Sequence, residues 1–210
     1  NKKMEPGFNN ISLDSVLSSR TVINNDGIAT YTDSLIPKEK SEFFLLQLSK
    51  NIQWRNDESV MFGKHYITRR KTAWYGDQPF CYTYSKIKRT ALPWTDELLE
   101  IKRIVENQEP AEFNSCLLNF YHDGDDGMSW HSDNEKELEK NGAIASVSLG
   151  AERKFSFKHK RNKEKIDLIL GNGSLLVMKE QIQTHWMHQL PKSKKISEPR
   201  INLTFRTIST

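Results

Sequence analysis

The chain has 210 residues, 36% hydrophobic and 28% charged, enough for one domain burying roughly 70% of its unfolded surface. A net charge of +4 and a pI near 8.9 are too small an excess to define a nucleic-acid partner. No run approaches the about 18 apolar residues of a membrane span, the leading NKKMEPGFNN lacks the apolar core of a secretory signal, and the two cysteines, Cys81 and Cys116, form no C-x-x-C pair; an intracellular, reduced setting without a membrane partner is expected.

Residues 1–30 are polar without a sustained period and read as an N-terminal arm, with one domain over 31–210. Pro37 suits the first turn of a helix through SEFFLLQLSKNI, with Phe44, Leu45, Leu48 and Ile52 as its buried stripe. A second helix is predicted from Thr95, a good N-cap followed by Asp96 and Glu97, with Leu98, Ile101 and Val105 on one face. Strands are predicted over 116–121, 143–150, 154–159, 165–171, 174–179 and 200–208, separated by turn signals such as Asp123-Gly124, Asn141-Gly142 and Gly171-Asn172-Gly173. Short strands at this spacing after two helices predict a sheet sandwich or jelly roll with helices packed outside. Residues 153–165 carry seven Lys or Arg against one Glu, and Arg69-Arg70-Lys71 and Lys86–Arg89 are also basic; such clusters neutralise phosphates, although most are solvated hairpin tips.

The last strand, Arg200-Ile201-Asn202-Leu203-Thr204-Phe205-Arg206, alternates strictly. Arg200, Asn202, Thr204 and Arg206 share a face some 20 Å long at about 3.3 Å per residue. An edge strand with a wet face gives the same alternation. If the polar face points into a barrel, two guanidinium forks demand an anion, and a dicarboxylate satisfies both. In His131-Ser132-Asp133 an imidazole and a carboxylate project together from an extended segment, the beginning of a 2-His-1-carboxylate site for Fe(II). H-x-D alone recurs often by chance. The further His is His185 or His188 in THWMHQLP, which fall on opposite faces of a strand; spacing does not choose between them. His65, His122 and His159 have no partner pattern and read as surface or packing residues.

Taken together, Asn119-x-Tyr121, His131-x-Asp133, the stretch 145–153, GSLLVM (173–178), THWMHQLP (184–191) and PRINLTFR (199–206) resemble the AlkB family of alkylation-repair dioxygenases, especially its nuclear DNA-repair branch. The likeness extends back through FGK (62–64), TAWYGD (72–77) and YTYS (82–85), covering roughly 60–208. H-x-D…H occurs in many oxygenases, but N-x-Y before it and R-x-N-x-T-x-R after it make the set specific.

The resemblance implies an α+β, mainly β fold: a double-stranded β-helix (jelly-roll) core over about 113–208, flanking helices, and a nucleotide-recognition hairpin region over about 55–95. It implies Fe(II) on His131, Asp133 and His188, choosing His188 over His185. It implies 2-oxoglutarate on Asn119, Tyr121, Arg200, Asn202, Thr204 and Arg206, with O2 as co-substrate. The implied reaction is oxidative demethylation of 1-methyladenine- and 3-methylcytosine-type bases in DNA, releasing formaldehyde and succinate. A methyl on the pairing edge is inaccessible in duplex, so the base must be flipped or single-stranded. Tyr84 then matches the aromatic that sandwiches the base against His131, Tyr82, Ser85 and Glu135 match pocket residues, and the Glu135 carboxylate favours a cationic lesion. Phe62 resembles the wedge that fills the hole left by flipping, and Arg70 with the basic hairpin (Lys158, Lys160, Arg161, Lys163) is expected on phosphates. TAWYGD is closer to a sister branch that prefers single strands and accepts RNA, whereas FGK resembles the duplex branch. RNA, a protein or a small molecule are thus alternative substrates, and a non-catalytic nucleic-acid-binding module is opposed by the complete ligand set. The chain is expected to be a monomer, nuclear in a eukaryote and cytoplasmic in a bacterium.

Overall fold

The computed structural model describes residues 17–61, 64–84 and 87–209. The elements in chain order are β1 (Arg20–Ile23), β2 (Ile28–Thr32), α1 (Lys38–Asn51), β3 (Arg55–Met61), β4 (Lys64–Gly76), β5 (Cys81–Tyr84), β6 (Ile87–Thr90), β7 (Leu92–Pro93), α2 (Asp96–Gln108), β8 (Ser115–Tyr121), β9 (Met128–His131), β10 (Ile144–Gly150), β11 (Arg153–His159), β12 (Lys165–Leu170), β13 (Leu175–Lys179), α3 (Ile182–His185), β14 (Trp186–Leu190) and β15 (Arg200–Arg206). A major sheet runs β1-β2-β13-β10-β15-β8-β4-β3, with β7 beside β4; a minor sheet runs β12-β11-β14-β9; β5 and β6 form a separate hairpin. None of the described helices is long and apolar enough to cross a membrane.

Two cores follow from the alternation of side chains. On one face of the major sheet, Val147, Ile201, Leu203 and Phe205 pack against Phe44 and Leu48 of α1 and Leu98, Ile101 and Val105 of α2. Between the sheets, Tyr31, Tyr121, Leu176 and Met178 meet Phe155, Phe157, Leu168 and Trp186. Each fully buried side chain of this size contributes roughly 1.5–3 kcal/mol. Thr95 caps α2 as its residue type predicts, its hydroxyl accepting from the Leu98 N–H at 3.3 Å. At the predicted 171–173 turn Gly173 has φ +76°, and a Cβ there would lie 2.1 Å from the Ile36 carbonyl oxygen, so the position requires glycine.

Central placement decides the meaning of β15. It pairs with β10 on one side and β8 on the other, and all seven of its residues are buried. Its polar face therefore points into the space between the sheets rather than to bulk water, which removes the wet-edge reading.

The N-terminal arm expected over 1–30 does not extend through residues 20–30. Arg20–Ile23 and Ile28–Thr32 form a hairpin whose second strand pairs with β13, burying Ile23, Ala29 and Tyr31. The Asp26-Gly27 turn, with φ 53° and 128°, supplies the reversal. The two strands are too short for a period to stand out from the polar residues around them.

Candidate active site

The metal-ligand set is assembled by the minor sheet. The β9–β14 ladder places His131 directly opposite His188, with ring centroids 4.3 Å apart, and Asp133 follows two residues past His131. His131 Nε2 lies 3.8 Å from Asp133 Oδ1, and His188 Nε2 lies 3.7 Å from Asp133 Oδ2. Ligand atoms of all three residues fall within 4.8 Å of one another. His131 Nδ1 sits 2.8 Å from the Ser129 carbonyl oxygen, so the ring proton resides there and Nε2 offers a lone pair to the cluster. Burial pushes His188 down to about 4, outweighing the attraction of Asp133, with the neighbouring His131 and Lys160 pushing the same way; the ring is therefore neutral near pH 7. Two imidazole lone pairs and a carboxylate converge without hydrogen-bonding each other. That arrangement is repulsive until a cation sits among them, and two His plus one carboxylate is the donor set suited to Fe(II) with open positions. Phe155 stacks on the His188 ring at 5.4 Å and Phe157 meets it edge-on at 6.2 Å, giving this ligand an apolar wall.

A second His/Asp group among the described residues, Asp26, His159 and His185, is equally compact but chemically different. His159 Nδ1 accepts the backbone N–H groups of Arg161 at 3.3 Å and Asn162 at 3.2 Å, so its proton is on Nε2, pointing at Asp26 Oδ2 3.0 Å away. A metal on Nε2 would force a proton onto Nδ1, against two donors. His159 is a buried structural link between the β1–β2 turn and the basic hairpin. His185 lies in the one-turn α3 rather than on a strand, its Nε2 2.9 Å from Gln181 Oε1. The strand expected over THWMHQLP begins only at Trp186, and the helical turn separates the two histidines.

Beside the metal ligands the polar face of β15 forms a cationic cradle. Arg200 and Arg206 are 2% and 3% exposed. Arg200 Nη2 donates to Ser148 Oγ at 2.9 Å, and Arg206 Nη1 pairs with Glu135 Oε1 at 3.0 Å, yet the Nε of each is buried with no hydrogen-bond partner among the described residues. Burial draws Arg200 down to about 10, only partly offset by Tyr121; its guanidinium lies 5.3 Å from the Tyr121 ring centroid. Asn202 opposes Asn119 across the β15–β8 ladder, donates to Ser146 Oγ at 2.7 Å and to the Val147 carbonyl at 3.0 Å, and accepts from Thr204 Oγ1 at 3.1 Å. Buried guanidinium donors left open are costly. They fit a bound dicarboxylate.

The substrate-side residues divide. Phe62 and Ser85 lie outside the described residues. Tyr82 and Tyr84 are on β5, their backbones paired with Arg89 and Ile87. Glu135 reaches the site through Arg206. Arg70, expected on phosphates, is turned inward in this structure: it is 7% exposed, its Nη2 is paired with Asp57, and its Nη1 is 2.9 Å from Met128 Sδ. To reach a phosphate this guanidinium would have to leave the Asp57 carboxylate. Lys160 is likewise tethered, donating to the Gln183 carbonyl at 2.8 Å, whereas Arg161 and Lys163 are exposed at the hairpin tip, Lys163 donating to the Lys160 carbonyl. Sequence reasoning passed over Ser146, Ser148 and Gln183. Ser146 and Ser148 carried a usable signal, alternation along β10 beside β15; Gln183 carried none.

This fold and donor set define an iron- and 2-oxoglutarate-dependent oxygenase. The profile of the 2OG-Fe(II) oxygenase superfamily matches residues 27–206. The DNA oxidative demethylase ALKBH2 of Mus musculus is 42% identical over 87% of this chain and 81% of its own length, and that of Homo sapiens is 36% identical over 89% and 76%. Alpha-ketoglutarate-dependent dioxygenase alkB homolog 3 of Mus musculus is 37% identical over 81% of this chain, which spans 62% of that relative's length. A solved structure of OsALKBH1 superposes with a TM-score of 0.61 at 15% identity, covering 85% of this chain and 96% of that one, and shares the fold. The chain belongs to the AlkB family of the 2OG-Fe(II) oxygenases.

Proposed function

We propose that this protein removes methyl groups from N-alkylated bases of DNA by oxidation coupled to decarboxylation of 2-oxoglutarate. The observation that carries the reading is the convergence of the His131–Asp133–His188 lone pairs beside two buried arginines with open donors. The DNA oxidative demethylases among its relatives supply the substrate class.

His131, Asp133 and His188 hold Fe(II), and Arg200 and Arg206 grip the two carboxylates of 2-oxoglutarate, with Asn119, Tyr121, Asn202 and Thr204 shaping the pocket around its chain. When bound, the metal and co-substrate activate O2 for hydroxylation of the N-methyl carbon, after which formaldehyde is lost. The chain's own contribution is placement. The ladder bond between β9 and β14 fixes the two imidazoles relative to each other, and the Phe155 and Phe157 rings keep water from the His188 side. Tyr84, Tyr82 and Ser85 are assigned to the flipped base. Glu135 supplies the negative charge that favours a cationic lesion over its neutral parent. Phe62 fills the vacated stack.

The test is formaldehyde release from oligonucleotides bearing 3-methylcytosine or 1-methyladenine, in the presence of Fe(II), ascorbate and 2-oxoglutarate. Single-stranded, duplex and RNA forms run in parallel distinguish strand preference. Turnover on methylated DNA that is lost in His131→Ala is expected; no product on any of these DNAs overturns the reading.

A further inference from the structure

Asp133 lies beyond the end of β9, where the ladder no longer fixes the backbone. A carboxylate ligand on such a segment needs another restraint, and one is present. Gln183 Oε1 accepts the backbone N–H of Asp133 at 2.9 Å, joining residues 50 apart in sequence. One residue earlier, Ser132 Oγ donates to the Trp186 carbonyl at 2.8 Å. Both acceptors belong to one short stretch, α3 and the first residue of β14.

That stretch is itself held from behind. Lys160 Nζ donates to the Gln183 carbonyl at 2.8 Å, the Gln183 Nε2 group turns toward Met178 Sδ at 3.6 Å, and Ile182 is buried against the inter-sheet core. The side chain of Gln183 also lines, with Asp133, Glu135 and Arg206, a cavity of about 500 Å³. Without the amide oxygen the Asp133 N–H would face this open space and the ligand would be free to swing into it.

We propose that Gln183 is the positioning residue for the metal ligand Asp133, and that α3 serves as a splint tying the H-x-D segment to the strand that carries His188. The proposal rests on the iron reading given above. One turn of helix between β13 and β14 thus sets two ligands at once: His188 through the chain that follows it, and Asp133 through the glutamine amide. Groups that orient a metal ligand from behind typically change metal affinity about 10–100-fold when removed.

The experiment measures Mn(II) binding by electron paramagnetic resonance on the full chain, in wild type, Gln183→Leu and Gln183→Glu, with circular dichroism to verify folding. Leu keeps the volume and removes the acceptor; Glu keeps an acceptor oxygen at the same reach. The expected result is about 10–100-fold weaker Mn(II) binding in the Leu variant, recovered to within a few-fold of wild type in the Glu variant, both folded. A folded Leu variant binding Mn(II) like wild type, or equal losses in Leu and Glu, overturns the splint while leaving the metal site standing. A wild type that takes up no Mn(II) overturns the metal site and the splint together.

Discussion

Glu135 and Arg206 form an ion pair at 3.0 Å in which the arginine side chain is 4% exposed and the carboxylate 46%. The guanidinium that meets 2-oxoglutarate in the proposed mechanism is therefore partly neutralised by the residue assigned to the lesion. In that mechanism an incoming carboxylate would compete with Glu135 for Arg206. A pair with one half-exposed partner is worth at most about 1 kcal/mol, so Glu135→Gln is expected to tighten 2-oxoglutarate binding by up to about fivefold, measured by titration of the Mn(II)-loaded protein. Weaker binding instead would mean that Glu135 orients Arg206 rather than occupying it.

Arg200 is buried, and among the described residues its Nε has no hydrogen-bond partner and no carboxylate is paired with it. An uncompensated buried charge destabilises the fold that contains it. Arg200→Met is expected to leave the melting temperature of the co-substrate-free protein unchanged or higher while abolishing its rise with 2-oxoglutarate. Wild type in 2-oxoglutarate at a hundred times its Kd gains about 2.7 kcal/mol. Differential scanning calorimetry with and without co-substrate decides; a variant still stabilised by 2-oxoglutarate removes Arg200 from the anion site.

Helices α1 and α2 were legible from their period, and the six strands from β8 onward, apart from the short β9 and β14, from alternation or a short apolar run bounded by turn signals. β15 is the strongest case: seven alternating residues fix which side chains share a face, but only the neighbours β10 and β8 show that this face is enclosed. The choice between His185 and His188 was not legible from spacing. It depends on a four-residue helical turn, too short for any periodicity to reveal. The inward turn of Arg70 was hidden for a different reason. A basic triplet reads as surface, and the carboxylate that draws its middle member inward, Asp57, sits on the preceding strand β3, 13 residues away. Gln183 was invisible because its role is a single hydrogen bond to a backbone amide, which any sequence can supply.

The two histidine clusters predict different metal behaviour. His188→Ala removes a lone pair from the β9–β14 site and is expected to abolish stoichiometric Fe(II) or Mn(II) uptake. His185→Ala removes a ring whose Nε2 lies against the Gln181 side chain, and should leave uptake at one ion per chain. His159→Ala cuts the link to Asp26 and is expected to lower the melting temperature without altering stoichiometry. Two ions per wild-type chain, falling to one in His185→Ala, would show that the second cluster binds metal after all.

Binding to DNA should separate the inward arginine from the outward cations. Each exposed cation that neutralises a phosphate adds about 0.9 to the slope of log affinity against log salt on duplex DNA. Arg161 and Lys163 are exposed at the tip of the β11–β12 hairpin, and Lys158 lies 5.9 Å from the Trp130 ring. Arg161→Ala with Lys163→Ala is expected to weaken binding to all sequences alike and to reduce the slope by about 2. Arg70→Ala should leave the slope unchanged. Its cost falls on stability instead, because Asp57, which pairs with both Arg70 and Arg89, loses its better-buried partner; a decrease of about 1–3 kcal/mol in urea unfolding is expected. Fluorescence anisotropy across a salt series measures the first effect and denaturant titration the second. A reduced salt slope in Arg70→Ala at unchanged stability would return this arginine to the phosphate surface, with its bond to Asp57 broken when DNA binds.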